Sequence, residues 1–125
     1  MLMVRTKIGP SQIHGIGIFA DEFIPKGTII WQFQQGFDIK LSPEALRKLS
    51  PPVLEQVLKY GYFEDGEYIL CSDDARFFNA SRTPNCTSGE QKIYTIAARD
   101  ISKGEELTED YREFDVGPFR THHYP

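Results

Sequence analysis

Three short segments of the sequence carry residue types that could bind a ligand or orient a reacting group. The first covers residues 14–20, where Gly15 and Gly17 stand at the start of an apolar run. Glycine has no Cβ, so the backbone at such positions can approach a ligand closely. A turn or a bulge produces the same pattern, and a dinucleotide-binding motif would need a third glycine and a following helix. The segment indicates a candidate ligand loop and leaves the structural interpretation open.

The second segment covers residues 76–86 and places two aromatic residues beside several hydrogen-bonding groups. Asn79 and Asn85 each offer donor and acceptor atoms, which suits recognition of an amide or a purine edge. The alternative is a polar turn, in which these asparagines and Ser81 cap backbone groups while Pro84 fixes a bend.

The third segment covers residues 103–111 and predicts a turn at Gly104 followed by a short strand that leads to Tyr111. A tyrosine hydroxyl can orient an amine, but its ordinary pKa of about 10 makes it a weak base at neutral pH. The alternative is a packing tyrosine beside an acidic, solvent-facing run.

Short apolar runs between glycine-bearing turns predict that strands position these three segments. The clearest predicted strands are residues 16–20, 28–33, 68–71 and 92–98. Turns at Gly27, Gly66, Gly89 and Gly104 separate them. The pattern is typical of a mainly β protein.

A helical insert of about residues 42–60 is expected between the strands. Ser42 is placed to cap a first helix, with Pro43 at its first position. Pro51 and Pro52 break that helix, and apolar residues then repeat at helical spacing to about Tyr60.

Length and composition predict one domain with a modest core, since the chain has 125 residues of which 40% are hydrophobic. We find no apolar run of membrane length and no secretory signal, so a cytoplasmic or nuclear location is expected.

The net charge of −4, without a long basic cluster, argues against direct nucleic-acid binding and favours a basic partner. Cys71 and Cys86 are expected to be reduced and buried.

Together, and in this order, the segments resemble the SET-domain lysine methyltransferases. That family has Gly-x-Gly-hydrophobic-Phe near its start, Asn-His-Ser-x-x-Pro-Asn later, and Gly-Glu-Glu-Leu-Thr-x-x-Tyr near its end. The resemblance runs from about Gly15 to Tyr111. It implies an α+β fold of several small curved sheets with a short helical insert, in which the Asn79 segment and the Tyr111 strand form a knot-like crossing. The core would span about residues 4–111, with a short tail at 112–125.

The resemblance also implies an activity: methyl transfer from S-adenosylmethionine to a protein lysine, without a metal. The amine, methyl carbon and sulfur would be held in line, with Tyr111 as the catalytic residue that orients the neutral amine. The implied cofactor-binding residues are His14, Gly15, Ile16, Gly17, Phe78, Asn79, Ala80 and Phe114. The implied substrate channel contains Ile16, Glu109 and Tyr111.

The chain departs from the family pattern at three positions. Ala80 replaces the usual histidine, which puts cofactor affinity in doubt while leaving a backbone contact to adenine intact. Glu109 stands where an aromatic residue is common, and a carboxylate there could hold the amine in its charged form. Arg82 replaces a cysteine that feeds a zinc cluster in many relatives, and no cysteine follows Cys86.

The chain resembles the minimal viral or bacterial kind of SET protein, and such proteins can form homodimers. Its expected partner is a lysine-bearing protein or peptide, such as a histone or another basic protein. Residues after Tyr111 would supply any lid, namely Phe114, Phe119, His122, His123 or Tyr124, and the alternative is a frayed tail. The adjacent histidines alone are weak evidence for a metal site.

Two alternatives compete with the enzyme hypothesis. One is a SET-fold module that has lost catalysis, marked by Ala80 and Glu109, and holds only a peptide or a cofactor. The other is an unrelated small β protein with an acidic surface formed by Asp73, Asp74, Glu109, Asp110, Glu113 and Asp115.

Overall fold

The computed structural model of the protein describes residues 1–88 and 94–110. Strands dominate, and two helices lie between the fourth and fifth strands. In chain order the elements are β1 (Thr6–Pro10), β2 (Ile16–Ala20), β3 (Ile29–Gln32), β4 (Ile39–Leu41), α1 (Pro43–Arg47), α2 (Pro51–Tyr60), β5 (Tyr62–Glu64), β6 (Glu67–Leu70), a 3₁₀ turn (Asp74–Phe77), β7 (Asn79–Ala80), β8 (Cys86–Ser88), β9 (Tyr94–Ala97) and β10 (Thr108–Glu109). The predicted mainly β class with a helical insert is confirmed.

The strands of the described residues form small sheets of two or three members. β1 pairs antiparallel with β2, and β9 lies between β3 and β8. β6 lies between β4 and β5, the two strands that flank the helical insert in the sequence. β7 and β10 pair in parallel, which aligns Asn79 with Thr108 and Ala80 with Glu109. This last pairing brings the second and third sequence segments together.

Residues 104–107 run along β2 before they enter β10. Gly104 N donates to Ala20 O at 2.8 Å, and Ala20 N donates to Glu105 O at 2.9 Å. Leu107 N then donates to Ile18 O at 2.8 Å. The third segment is therefore fixed against the first by backbone hydrogen bonds, which specify its register.

A central hydrophobic core holds these sheets together. Its largest fully buried side chains are Ile18, Ile24, Ile30, Ile101 and Leu107. Each such burial is worth about 1.5–3 kcal/mol relative to an exposed side chain. Because Ile18 and Leu107 belong to the paired segments, the core stabilises the contact on which the candidate site depends.

The two helices cover a smaller cluster of buried residues, Leu46, Val57 and Tyr68. Ser42 caps α1 as predicted, because its side chain accepts a hydrogen bond from Ala45 N at 3.1 Å. Pro51 and Pro52 do more than end α1, since they form the first turn of α2. Proline is tolerated there because the first backbone N–H groups of a helix have no intrahelical acceptor. Among the described residues, neither helix is long and apolar enough to cross a membrane.

Candidate functional site

A cleft of about 650 Å³ lies between the loop before β2, the segment that precedes β7, and the C-terminal half of α2. Its volume falls in the range of small-molecule sites. The lining residues are His14, Gly15, Ile16, Glu55, Leu58, Lys59, Tyr60, Arg76, Phe77, Phe78, Asn79 and Ala80.

Most of the residues predicted to bind a cofactor line this one cleft. They come from two segments more than sixty positions apart, and those lining it are His14, Gly15, Ile16, Phe78, Asn79 and Ala80. Gly17 is not among the lining residues. Tyr111 and Phe114 lie outside the described residues, so their predicted roles stay predictions.

Asn79 ties the two sides of the cleft together through its amide nitrogen. Nδ2 donates to His14 O at 3.1 Å and to Ile16 O at 3.3 Å, on either side of Gly15. It also lies 2.9 Å from Glu106 Oε2. All three neighbours are acceptors, so the orientation of the amide is fixed. Its Oδ1 accepts no hydrogen bond from any described residue and is the end left for a ligand.

Glu106 joins the same network, although the sequence placed it in a solvent-facing acidic run. The Ser11 hydroxyl lies 2.8 Å and 2.9 Å from the two carboxylate oxygens of Glu106. Ser11 Oγ in turn accepts from Ile13 N at 2.9 Å and from His14 N at 3.3 Å. The Glu106 carboxylate thus contacts Ser11, in the turn before the glycine loop, and Asn79, on the other side of the cleft.

Because residues 104–107 pair with β2, the side chains of Glu105 and Glu106 lie on opposite faces of this segment. Glu106 lies opposite Phe19 in a β-bridge, and its side chain points at the loop. Glu105 instead forms an ion pair with Arg99, at 2.9 Å between Nη1 and Oε2. Side chains alternate between the two faces of an extended chain, and the sequence alone does not say which face is inner.

The two glycines of the loop are required for different reasons. Gly15 adopts φ of +50°, a conformation that residues with a side chain rarely adopt, and a Cβ there would meet no other atom within 4 Å. A Cβ on Gly17 would lie 2.5 Å from Glu106 Oε2 and 3.1 Å from Ser11 Cβ. Gly17 therefore makes room for the protein's own carboxylate.

Asn85 holds the strand that leads toward Tyr111. Its Nδ2 donates to Glu106 O at 2.8 Å, and its Oδ1 accepts from Thr108 N at 2.9 Å. Asn85 is buried, so these bonds are shielded from water. The polar-turn alternative for this segment is correct for Asn85, which satisfies backbone groups of another chain segment.

Glu109 is buried beside a second, small cavity of about 20 Å³. The cavity is lined by Trp31, Tyr62, Cys71, Ala75, Phe78, Thr95 and Glu109. Phe78 lines both this cavity and the large cleft. Trp31 Nε1 is buried and has no hydrogen-bond partner among the described residues. A polar group in such a position is a candidate for contact with a ligand or a water molecule.

The acidic-surface alternative does not fit this arrangement. Asp74 is exposed, but Glu109 and Asp110 are only 6% and 9% exposed, and Asp73 accepts backbone hydrogen bonds from Leu2 N and Ala75 N. Glu113 and Asp115 lie outside the described residues. The acidic run near the end of the third segment is therefore largely interior, which contradicts a solvent-facing role.

The α2 wall of the cleft was not identified from the sequence. Arg76 donates through Nε and Nη2 to Cys71 O at 3.1 Å and 2.8 Å, and its guanidinium carbon lies 5.4 Å from the centre of the Tyr60 ring. Tyr60 also packs edge-to-face against Phe77, with ring centres 5.8 Å apart. These contacts fix the end of α2 over the cleft and give the wall aromatic and cationic groups, with Lys59 beside them.

Both cysteines are free and buried, as expected. Burial is the main cause that raises the pKa of the Cys71 and Cys86 thiols, and the negative charge of Glu109 adds to it. They remain protonated at neutral pH and are poor nucleophiles. Within residues 1–88 and 94–110, no group of three or more His, Cys, Asp or Glu side chains could hold a metal ion.

Comparison with known proteins gives one family. The model of the SET domain matches residues 15–112. The histone H3-lysine(4) N-trimethyltransferase ATX1 of Arabidopsis thaliana is 33% identical over 131 aligned positions, which cover 90% of this chain. An H3 lysine-4 specific histone-lysine N-methyltransferase of Schizosaccharomyces pombe is 33% identical over 125 positions, or 83% of this chain.

The chain spans 12% of the length of each of these two relatives, so the similarity concerns one domain of much larger proteins. Among solved structures, a Plasmodium falciparum protein assigned as a histone methyltransferase superposes with a TM-score of 0.64 and 20% identity. That match covers 88% of this chain and 95% of the other, and it establishes a common fold.

Proposed function

The chain belongs to the SET-domain family, and from that membership we propose that it transfers a methyl group from S-adenosylmethionine to a lysine side chain of a protein. The observation that carries the proposal is the cleft in which the glycine loop, Asn79 and Ala80 meet. These residues are the counterparts of the family's first two motifs.

The residues of the cleft fit the chemical groups of S-adenosylmethionine. Asn79 Oδ1 is an acceptor suited to the α-ammonium group, since Nδ2 is already occupied by protein acceptors. Lys59 of α2 and Arg76 of the 3₁₀ turn place two cationic side chains on the cleft, which suits the carboxylate of the cofactor. Phe77, Phe78 and Tyr60 supply aromatic surface for a purine ring.

Ala80 leaves the adenine side of the cleft without the family's imidazole. The residue is buried, and its backbone belongs to the β7–β10 pairing. We propose that cofactor recognition there depends on backbone groups and on the aromatic wall. The predicted contacts of His14, Gly17 and Phe114 with the cofactor remain part of this proposal.

When bound, S-adenosylmethionine supplies a methyl group on a positively charged sulfur. The task of the protein is then to bring a neutral amine in line with that methyl group. We propose that the lysine approaches from the side of Glu109 and the small cavity, where burial favours the neutral amine. Ile16 and Tyr111 would complete this channel, with Tyr111 orienting the amine.

Glu109 works against deprotonation of the lysine, because a nearby carboxylate stabilises the ammonium form. The adjacent cavity of about 20 Å³ has room for about one water molecule, which could receive the proton. The buried Trp31 N–H could bond such a water molecule. We propose that Glu109 tunes the charge of the substrate amine and therefore the pH dependence of the reaction.

We propose a lysine-bearing basic protein as the partner, with histones as the first class to test. The two relatives support this choice, because both are named as methyltransferases of histone H3 lysine 4. The net charge of −4 favours a basic partner as well. A homodimer and a cytoplasmic or nuclear location remain predictions from the sequence.

The test is calorimetric titration with S-adenosylmethionine, followed by methyl transfer from radiolabelled cofactor to histone H3 and to other basic proteins. We expect saturable binding that Asn79→Ala weakens by about tenfold or more, as for loss of a hydrogen bond to a charged group. Binding without transfer to any of these proteins would favour the module that has lost catalysis. Absence of binding would contradict the proposed activity.

A further inference from the structure

We infer that Glu106 is a positioning residue for the amino-acid end of the cofactor, and that it acts through Asn79 and Ser11 without touching the ligand. The inference rests on the proposed function, because it assumes that S-adenosylmethionine occupies the cleft. Glu106 does not line the cleft itself, and its carboxylate lies behind the residues that do.

The amide nitrogen of Asn79 has more neighbouring acceptors than hydrogens to donate. Its Nδ2 carries two hydrogens, while three acceptors surround it. The shortest contact, 2.9 Å, is with Glu106 Oε2, and a bond to a charged acceptor is stronger than one to a neutral carbonyl. Glu106 therefore holds the amide in the orientation that turns Oδ1 toward the cleft.

Glu106 also holds the turn that begins the loop, through Ser11. The Ser11 hydroxyl donates to Glu106, which leaves Ser11 Oγ as an acceptor for Ile13 N and His14 N. Ser11 N also donates to Gly15 O at 2.9 Å, so the turn is closed from both ends. The same carboxylate thus orders the backbone of the loop before any ligand arrives, and a preorganised site binds more tightly than one that is ordered on binding.

Gly17 lies directly against the same carboxylate. A Cβ at this residue would overlap the Glu106 carboxylate, at 2.5 Å from Oε2 and 2.8 Å from Cδ. The second glycine of the motif is therefore matched to Glu106. A glycine here leaves room for the carboxylate in the orientation that contacts Asn79 and Ser11.

Calorimetry with two ligands tests the inference. S-adenosylmethionine carries the amino-acid end, whereas 5′-methylthioadenosine has the same nucleoside without it. We expect Glu106→Ala to weaken S-adenosylmethionine binding by about tenfold or more and to change methylthioadenosine binding by less than about twofold. Glu106→Gln keeps an acceptor for Asn79 and should recover part of the loss. Glu105→Ala, one residue away and paired with Arg99, is the matched control.

Each outcome has a distinct meaning. Equal weakening of both ligands would overturn the inference, since it would indicate general loosening of the fold. Unchanged binding of both ligands to Glu106→Ala would also overturn it and would leave the proposed function standing. If the unaltered protein binds no S-adenosylmethionine, the proposed function and this inference are both wrong. Glu106→Gln is isosteric and decides the question if the alanine variant does not fold.

Discussion

The side-chain nitrogen of Asn79 lies 2.9 Å from a carboxylate oxygen of Glu106, although the two residues are 27 positions apart. This contact joins the second and third motifs of the sequence, and the first motif is attached to the same pair through His14 and Ser11. The three motifs are therefore parts of one hydrogen-bonded unit.

Tyr111→Phe removes one hydroxyl from the residue proposed to orient the amine. We expect turnover to fall by about 100-fold or more, because small errors of alignment are costly in a displacement reaction. Cofactor affinity should remain within about twofold of the original. Steady-state methylation and calorimetry measure the two quantities, and unchanged turnover would remove Tyr111 from the mechanism.

Gly17→Ala is expected to lower the free energy of unfolding by about 1–3 kcal/mol, as for overpacking in a well-packed region. The added methyl group overlaps the Glu106 carboxylate, so combining it with Glu106→Ala should cost less than the sum of the two single changes. Urea denaturation of the four proteins measures this coupling.

Gly15→Ala provides the matched control for that cycle. Its cost comes from φ of +50°, with no atom within 4 Å of the added Cβ. Glu106→Ala should therefore leave that cost unchanged. A cycle that is additive for Gly17 as well would contradict the steric role assigned to Glu106.

Asn85→Ala removes both side-chain bonds that hold Glu106 O and Thr108 N. Each buried backbone group left without a partner costs about 1–3 kcal/mol, so a loss of about 2–5 kcal/mol of stability is expected. Thermal and urea denaturation would measure it. Thr83→Ala, at an exposed turn nearby, should change stability by less than about 1 kcal/mol.

Glu109→Gln should move the pH dependence of methyl transfer toward lower pH. Removing the negative charge destabilises the ammonium form of the substrate lysine, so its pKa in the complex falls and the neutral amine appears at lower pH. A displacement of about one pH unit is expected in the profile of kcat, which reports groups that titrate in the enzyme–substrate complex. Glu44→Gln, on the exposed first turn of α1, is the control. An unchanged profile would place Glu109 away from the amine.

Above the ordinary thiol pKa of about 8.5, stability should fall as pH rises. The folded-state pKa of Cys71 and Cys86 is raised by burial, so only the unfolded chain loses these protons in that range. Fewer protons are then bound in the unfolded state, which gives a slope of about −1.4 kcal/mol per pH unit for each thiol. Urea denaturation between pH 8 and 10 should show a shallower slope for Cys71→Ala. Rapid alkylation of the native thiols at pH 8 would contradict their burial.

The sequence predicted the segments of the site better than the contacts between them. Strand β2 was predicted with its observed bounds, Ile16–Ala20, because its apolar residues alternate beside glycines. The predicted strand at 28–33 is shorter in the structure, at Ile29–Gln32. β7 and β10 contain two residues each, too few to produce a recognisable period.

Glu106 and the α2 wall were missed for a different reason. Whether Glu106 or Glu105 points inward depends on the register of residues 104–107 on β2, and that register is a tertiary property. Tyr60 and Arg76 face the cleft because α2 packs beside the 3₁₀ turn, a contact that local periodicity does not encode. By contrast, Gly15 and Asn79 could be identified as candidate site residues from the sequence alone. Few residues other than glycine adopt its backbone conformations, and few side chains other than an amide carry both a donor and an acceptor.

The attachment of residues 104–107 to β2 also has a consequence for the order of events during synthesis. A chain still being made contains β1, β2 and Asn79 before Glu106 is added. Until then the loop lacks its carboxylate, β2 lacks a partner for Ile18 O and Ala20 N, and Asn85 has no strand to hold. The glycine loop and Asn79 thus precede, in the chain, the segment that orders them, so the pocket is assembled only once residues 104–107 have joined β2.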